Sequence, residues 1–346
     1  MTEATKAGLS CFVSRSESQD CYTSAMPNLT LKAPVGPGDQ LDHYRIESVI
    51  ASGSTVVIFQ GTDLQTGRAV AIKIPHPEME TDLAFLDRLR REEDIDENLS
   101  HPGLLKGIKD EHRSRFYIVT EWFDGRTLRQ KLNEQKKLSP EEAVQIALKL
   151  CDVLEYIHGH GIVHRNLRPE NILVGADDQI KLTGLELAAK EGAPRLTFTS
   201  IAQLVGSSAY ISPEELVGRR GDARSDLYSL GIILYEMVTG ATPFPGNDPF
   251  DRLRKHPVPP RELDPAVTPQ LQEVIYRALE REHKNRYASA HDFVRDLSQL
   301  DKVGIGERAE LRDWKKDHES EARRLLLYTA LALIPLLIFG LLIYFS

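Results

Sequence analysis

Between residues 40 and 300 the spacing of apolar side chains changes once. In the first stretch apolar and polar positions alternate, the period of half-buried strands. Tyr44–Ile50, Val56–Gly61 and Arg68–Ile74 are short β-branched runs, and the turn signal from Asp63 to Gly67 parts the last two. Arg115–Glu121 (RFYIVTE) predicts a fourth strand. One helix is expected among them, over Leu83–Leu99. Its Phe85, Leu89, Glu92, Ile95 and Leu99 fall on one face at helical spacing. Glu92 is then a carboxylate on an inward apolar stripe, and a buried carboxylate needs a cationic partner. The rest of the acidic run, as far as Glu97, reads as solvated surface.

After residue 139 the helical period takes over. Ser139-Pro140-Glu141-Glu142 reads as a capping box with proline in the first turn. It opens a helix whose Val144, Ala147, Leu148, Cys151, Leu154 and Ile157 line one side, which makes Cys151 a core thiol. Asp226–Thr239 predicts a second, strongly apolar helix, stopped by Gly240. Short strands are expected at Ile162-Val163, Ile172–Val174 and Ile180–Leu182, with Asp177-Asp178 turning the chain between the last two. The pattern predicts an α+β fold, with a small β-rich lobe followed by a larger helical one.

The two ends differ from this middle. Residues 1–38 are rich in Ser and Thr and read as a flexible arm, with no basic cluster ahead of an apolar run and so no signal peptide. Leu325 to Phe345 (LLLYTALALIPLLIFGLLIYF) carries no charged side chain. At 1.5 Å per residue that run makes a helix about 31 Å long, the thickness of a bilayer's hydrocarbon core. Pro335 and Gly340 are tolerated in such a span. Arg323 and Arg324 precede it directly and Lys315 and Lys316 lie slightly earlier, so the positive-inside rule places the N-terminal body in the cytoplasm on a single-pass C-terminal anchor. Residues 301–324, charged and free of proline, read as a solvated helical stalk.

Composition narrows the classes. Forty-three basic against 51 acidic residues give a net charge of −8, which argues against a nucleic-acid-binding body. Three cysteines in 346 residues build neither a disulfide framework nor a CxxC metal pair. An apolar share of 41% supports a real core, so wholesale disorder is excluded.

The chemistry is carried by a series of motifs. His164-Arg165-Asn166-Leu167-Arg168-Pro169-Glu170-Asn171 lies between two of the short strands. Val70-Ala71-Ile72-Lys73 precedes it; Ser212-Pro213-Glu214, then Ser225-Asp226-Leu227-Tyr228-Ser229-Leu230-Gly231, and finally Arg286 follow in order. Over residues 39–300 the chain resembles the eukaryotic-like (Hanks-type) Ser/Thr protein kinases, close to their bacterial membrane-anchored members. The resemblance implies a bilobal kinase fold in which Lys73 pairs with Glu92. It makes Glu121–Phe123 the hinge that holds adenine, Thr120 the gatekeeper, and Glu214 with Arg286 a structural ion pair in the large lobe. Thr197, Thr199 and Ser200 fall in the activation segment, where Arg165 could pair with an added phosphate.

Three parts of that family's machinery are altered. The loop acid is replaced by Asn166, and a neutral amide cannot accept a proton near pH 7. Losing a general base costs about 10²–10⁴ in rate. In place of D-F-G stands Gly184-Leu185-Glu186, and Gly184 offers Mg²⁺ no oxygen from a side chain. The phosphate loop reads Ala51-Ser52-Gly53-Ser54-Thr55-Val56, where only the middle glycine survives and Val56 stiffens the chain.

The nucleotide-binding candidates are Gly53, Lys73, Glu92, Glu121 and Phe123. The catalytic-loop candidates are Asn166, expected to be non-functional as a base, and Arg168. Asn171 is a weak metal ligand and Glu186 a speculative one, so Mg²⁺ is expected to be weak or absent and ATP binding is left open. The leading expectation is a membrane-tethered pseudokinase that works through protein partners as a signalling scaffold. The alternatives are a slow Ser/Thr kinase acting on protein substrates with Glu186 as metal ligand, and a domain that senses nucleotide without reaction.

Overall fold

The computed structural model describes residues 34–308 apart from 111, 177–178, 191–207, 245, 247 and 249. Most of the expected N-terminal arm, the Asp177-Asp178 turn, Thr197, Thr199, Ser200 and the apolar run from Leu325 to Phe345 lie outside the described residues. Among the described residues no helix is long and apolar enough to cross a membrane.

The small lobe is one antiparallel sheet. Its strands are β1 (Gln40–Leu41), β2 (Tyr44–Ser52), β3 (Val56–Asp63), β4 (Ala69–Pro75), β5 (Gly107–Ile108) and β6 (Ile118–Glu121), in the order β1-β2-β3-β4-β6-β5. Period two along β4 sends Val70, Ile72 and Ile74 into a core with Tyr44, Ile46, Phe59, Tyr117 and Val119. The same alternation turns Lys73 to the opposite face, toward α1 (Leu83–Glu97). On α1, Phe85, Leu86 and Leu89 pack against Ile118, whereas Ile95 and the following Leu99 join the core of the large lobe. The helix therefore straddles both lobes, with Glu92 buried between its two apolar ends.

The large lobe holds α2 (Leu128–Gln135), α3 (Pro140–Gly159), α4 (Pro213–Leu216), α5 (Ala223–Thr239), α6 (Asp251–Arg254), α7 (Pro260–Leu263), α8 (Pro269–Ala278) and α9 (Ala290–Ser298). Strands β7 (Gly125–Thr127), β9 (Ile172–Gly175) and β10 (Ile180–Leu182) form a small sheet, and β8 (Ile162–Val163) pairs with β11 (Ala189–Lys190). Helix α5 is buried nearly all round, as its continuous apolar sequence requires. Asp222 caps its start with Ser225 in a reciprocal box, and left-handed Gly240 ends it. Gly231 lets α5 approach α8, since a Cβ there would lie 2.7 Å from the Cβ of Ala278. The Arg286 guanidinium forks onto both oxygens of Glu214 at 2.7 Å each.

Four expectations are corrected. The strand expected from Arg115 begins at Ile118, because Arg115 pairs with Glu80 and the carbonyl of Tyr117 accepts from Arg113 instead of from a neighbouring strand. The Ser139 cap is only half a box: its hydroxyl accepts from the N–H of Glu142, but the Glu142 carboxylate goes to Lys131. In the acidic run of α1, Glu93 is not free surface, since it pairs with Arg113 at 2.9 Å. The expected stalk does not start as a solvated helix. Residues 303–308, with glycines at 304 and 306, are not helical, and Arg308 forks onto Glu273 at 2.6 and 2.9 Å and reaches Glu280 at 2.7 Å.

Candidate nucleotide cleft

Lys73 on β4 meets Glu92 on α1, with Nζ 3.2 and 2.8 Å from the two carboxylate oxygens. The stripe of α1 delivers Glu92 and the pleat of β4 delivers Lys73, so elementary periodicities build the pair. A third group joins them. Glu186 follows left-handed Gly184 at the start of a short 3₁₀ turn, and its Oε2 lies 3.7 Å from Lys73 Nζ.

The loop from His164 to Asn171 is held from below. Buried Asp226 on α5 accepts from the N–H groups of His164 (2.8 Å) and Arg165 (2.9 Å) and from His158 Nε2 (2.8 Å). This clamp sustains Arg165 at φ 62°, an unusual conformation for a side-chain-bearing residue. His164 Nδ1 accepts from the N–H of Asn166 at 3.2 Å, so its proton sits on Nε2, 3.1 Å from the Thr183 carbonyl. Burial holds this imidazole below its ordinary range and keeps it neutral.

Asn166 then reaches Glu186: its amide Nδ2 donates to Oε1 at 2.8 Å. Only an amide N–H can face a carboxylate in this way, which fixes the orientation of the side chain. Asn171 donates to the Asn166 carbonyl at 2.8 Å. Gly184, at φ 84°, packs directly on Asn171, and a Cβ there would lie 2.7 Å from its Cγ. The glycine thus makes a tight turn and offers no side-chain oxygen to the cleft.

Burial pushes Glu92 upward against the pull of Lys73, and the charge of Glu186 adds to the rise. Burial acts in the same sense on Glu186 and is the largest single influence, but the charge of Lys73, a backbone N–H and the Asn166 amide together outweigh it, so this carboxyl stays below its ordinary range. Glu186 Oε2 is buried without a hydrogen-bond donor among the described residues.

Mg²⁺, which a kinase fold implies, demands octahedral oxygen ligands. Gly184 supplies none, Asn171 turns its amide nitrogen to Asn166, and Glu186 already faces Lys73. Among the described residues no three His, Cys, Asp or Glu side chains cluster as a metal site. The residues present do not fit the ion.

The other expected residues are placed as follows. Gly53 closes the β2–β3 turn by donating to Val56 O at 2.9 Å, and its own carbonyl lies 2.9 Å from His76 Nε2. Glu121 gives its carboxylate to Lys181 at 2.6 Å. Phe123 rests its ring on Gly125 and Gly175, where a Cβ would approach within 2.7 Å. Arg168 binds Glu170 at 2.7 Å and shares no hydrogen bond with Asn166 among the described residues. Glu170 also accepts from Arg129, which continues to Glu236 at 2.7 Å. His76, Arg129 and Glu236 carry no motif of their own, and only their position in space reveals them.

Residues 44–298 match the family model described as "Protein kinase domain". The chain belongs to the protein kinase family. Among relatives of this kinase domain, it is 34% identical over 277 residues to SCO3848 of Streptomyces coelicolor, named a probable serine/threonine-protein kinase, covering 77% of this chain and 41% of that one. It is 33% identical over 266 residues to serine/threonine-protein kinase PknB of Mycolicibacterium smegmatis, covering 74% and 42%. The chain thus spans less than half the length of these relatives. The kinase domain of PknI from Mycobacterium tuberculosis superposes with a TM-score of 0.61 at 21% identity, over 77% of this chain and 100% of that one, which establishes the shared fold.

Proposed function

We propose that this kinase-family chain is a membrane-tethered pseudokinase: a kinase-shaped binding module for protein partners, with weak ATP affinity and no effective phosphoryl transfer. One observation carries the reading. Where the family needs a base stands Asn166, hydrogen-bonded at 2.8 Å to Glu186, and where it needs a metal ligand stands Gly184, with no room for a carboxylate beside Asn171. Phosphoryl transfer rests on positioning and on neutralising the developing charge, and both functions lack their usual groups here. The tether is supported by the uncharged run from Leu325 to Phe345 behind Arg323 and Arg324.

One feature favours the second reading, a slow Ser/Thr kinase: the Lys73–Glu92 pair is formed. Both readings meet the same test. The 346-residue chain, purified in detergent, is given Mg-ATP and a general protein substrate, with Lys73→Met as control. The expected result is no incorporation above that control. Incorporation that Lys73→Met removes would establish the slow kinase. Extraction of the chain from membranes by detergent but not by alkaline carbonate is expected of a spanning anchor.

A further inference from the structure

In the cleft one ammonium faces two carboxylates: Lys73 Nζ lies 2.8 Å from Glu92 and 3.7 Å from Glu186. Glu92 belongs to the scaffold, since it rides on the buried stripe of α1. Glu186 is different. It reaches in from the turn after β10 and is held by Asn166, with 28% of its side chain open to solvent. An oxygen of Glu186 therefore presents to Lys73 the same kind of group that a nucleotide phosphate would present. Two carboxyl groups thus stand against one ammonium before any ligand arrives. A phosphate entering without a fitting metal ion meets like charge at close range, where screening by salt is weak.

We propose that Glu186 is a resident competitor for Lys73, fixed in place by Asn166, that disfavours phosphate-bearing ligands and leaves the cleft to uncharged, adenosine-class ones. This rests on the pseudokinase reading and deepens it by naming the ligand chemistry. It also gives Asn166 a role other than an absent base: it is a positioning residue for a carboxylate, a role an aspartate could fill only by taking up a proton. Three of the substituted positions then form one set. Gly184 lets the turn pack on Asn171, Glu186 supplies the anion, and Asn166 supplies the donor that holds it.

The test is calorimetric titration of the 346-residue chain in detergent with adenosine and with ATP, each with and without Mg²⁺. Three forms are compared: unaltered, Glu186→Gln and Glu186→Ala. Glu186→Gln keeps the shape and an acceptor for Asn166 while removing the charge; Glu186→Ala guards against an amide that merely re-bonds. Melting curves verify that both are folded. The expected result is ATP affinity raised at least tenfold in both variants, about 1.4 kcal/mol, with adenosine affinity within about twofold of the unaltered chain, a change worth well under 1 kcal/mol. Equal changes for ATP and adenosine overturn the proposal. So does ATP affinity left unchanged, or ATP that binds none of the three forms, because removing the competitor must expose Lys73. Phosphate transfer by the unaltered chain would instead sink the pseudokinase reading and leave this comparison of ligands standing.

Discussion

Asn166 and Glu186 stand 20 positions apart and meet across 2.8 Å, one donating and the other accepting. Reinstating the family's acid by Asn166→Asp would set two carboxylates face to face with no proton between them. The variant is expected to lose about 1–3 kcal/mol of stability above pH 6 and to gain no transfer activity, because one carboxyl must take up a proton or move away. Chemical denaturation measures it, and an unchanged midpoint would contradict the contact. Glu215 offers a second residue-scale test. Burial, with the charges of Asp226 and Glu214, pushes its carboxyl up to about 7 from 4.5, despite a hydrogen bond from Ser212. The folded state thus binds a proton that the unfolded chain has already released, so this group's stabilisation is full at low pH and is lost as pH rises toward and through 7. Relative to Glu215→Gln, the unaltered chain should lose up to about 3 kcal/mol between pH 4.5 and 8. Parallel pH profiles for the two would end the idea. Of the Lys73–Glu92 pair, the stripe of α1 revealed the buried carboxylate, and the resemblance to the kinases supplied the lysine. The Asn166–Glu186 bond was not legible, because the two lie on separate turns and neither sits in a periodic segment.

At the scale of elements, apolar period located β2, β3, β4, α1, α3 and α5 to within a few residues, since each buries one face or all of itself. It failed where a backbone group is claimed by a side chain. Tyr117 reads as strand, but Arg113 takes its carbonyl; Glu142 reads as a cap, but Lys131 takes its carboxylate. Long-range charge capture of this kind has no signature in local spacing. Close approach of elements is equally silent in the sequence. The contact of Gly231 with Ala278 sets the α5–α8 distance, and Gly231→Ala should cost about 1–3 kcal/mol by overpacking, against the slight gain that alanine normally brings to a helix. A thermal midpoint that rises would show that the helices separate freely.

Over the whole molecule, two lobes are joined by α1, whose N-terminal half packs under the sheet and whose C-terminal end enters the large core. The fold as a whole was legible because its motifs recur in order along the chain. The docking of residues 303–308 was not, since charge and glycine suggested only open stalk. Arg308 binds Glu273 and Glu280 and lies over the ring of Tyr276 at 5.6 Å. Arg308→Ala should free this segment, so that trypsin cuts faster after Lys302; an unchanged cleavage rate would mean that the fork does not hold it.

The fork at Arg308 makes the way out of the domain a mechanical joint. Its partner Glu273 lies on α8, α8 meets α5 where Ala278 faces Gly231, and α5 carries Asp226, whose carboxylate holds the backbone of His164 and Arg165. An unbroken series of direct contacts thus runs from the exit of the domain to the floor of its cleft.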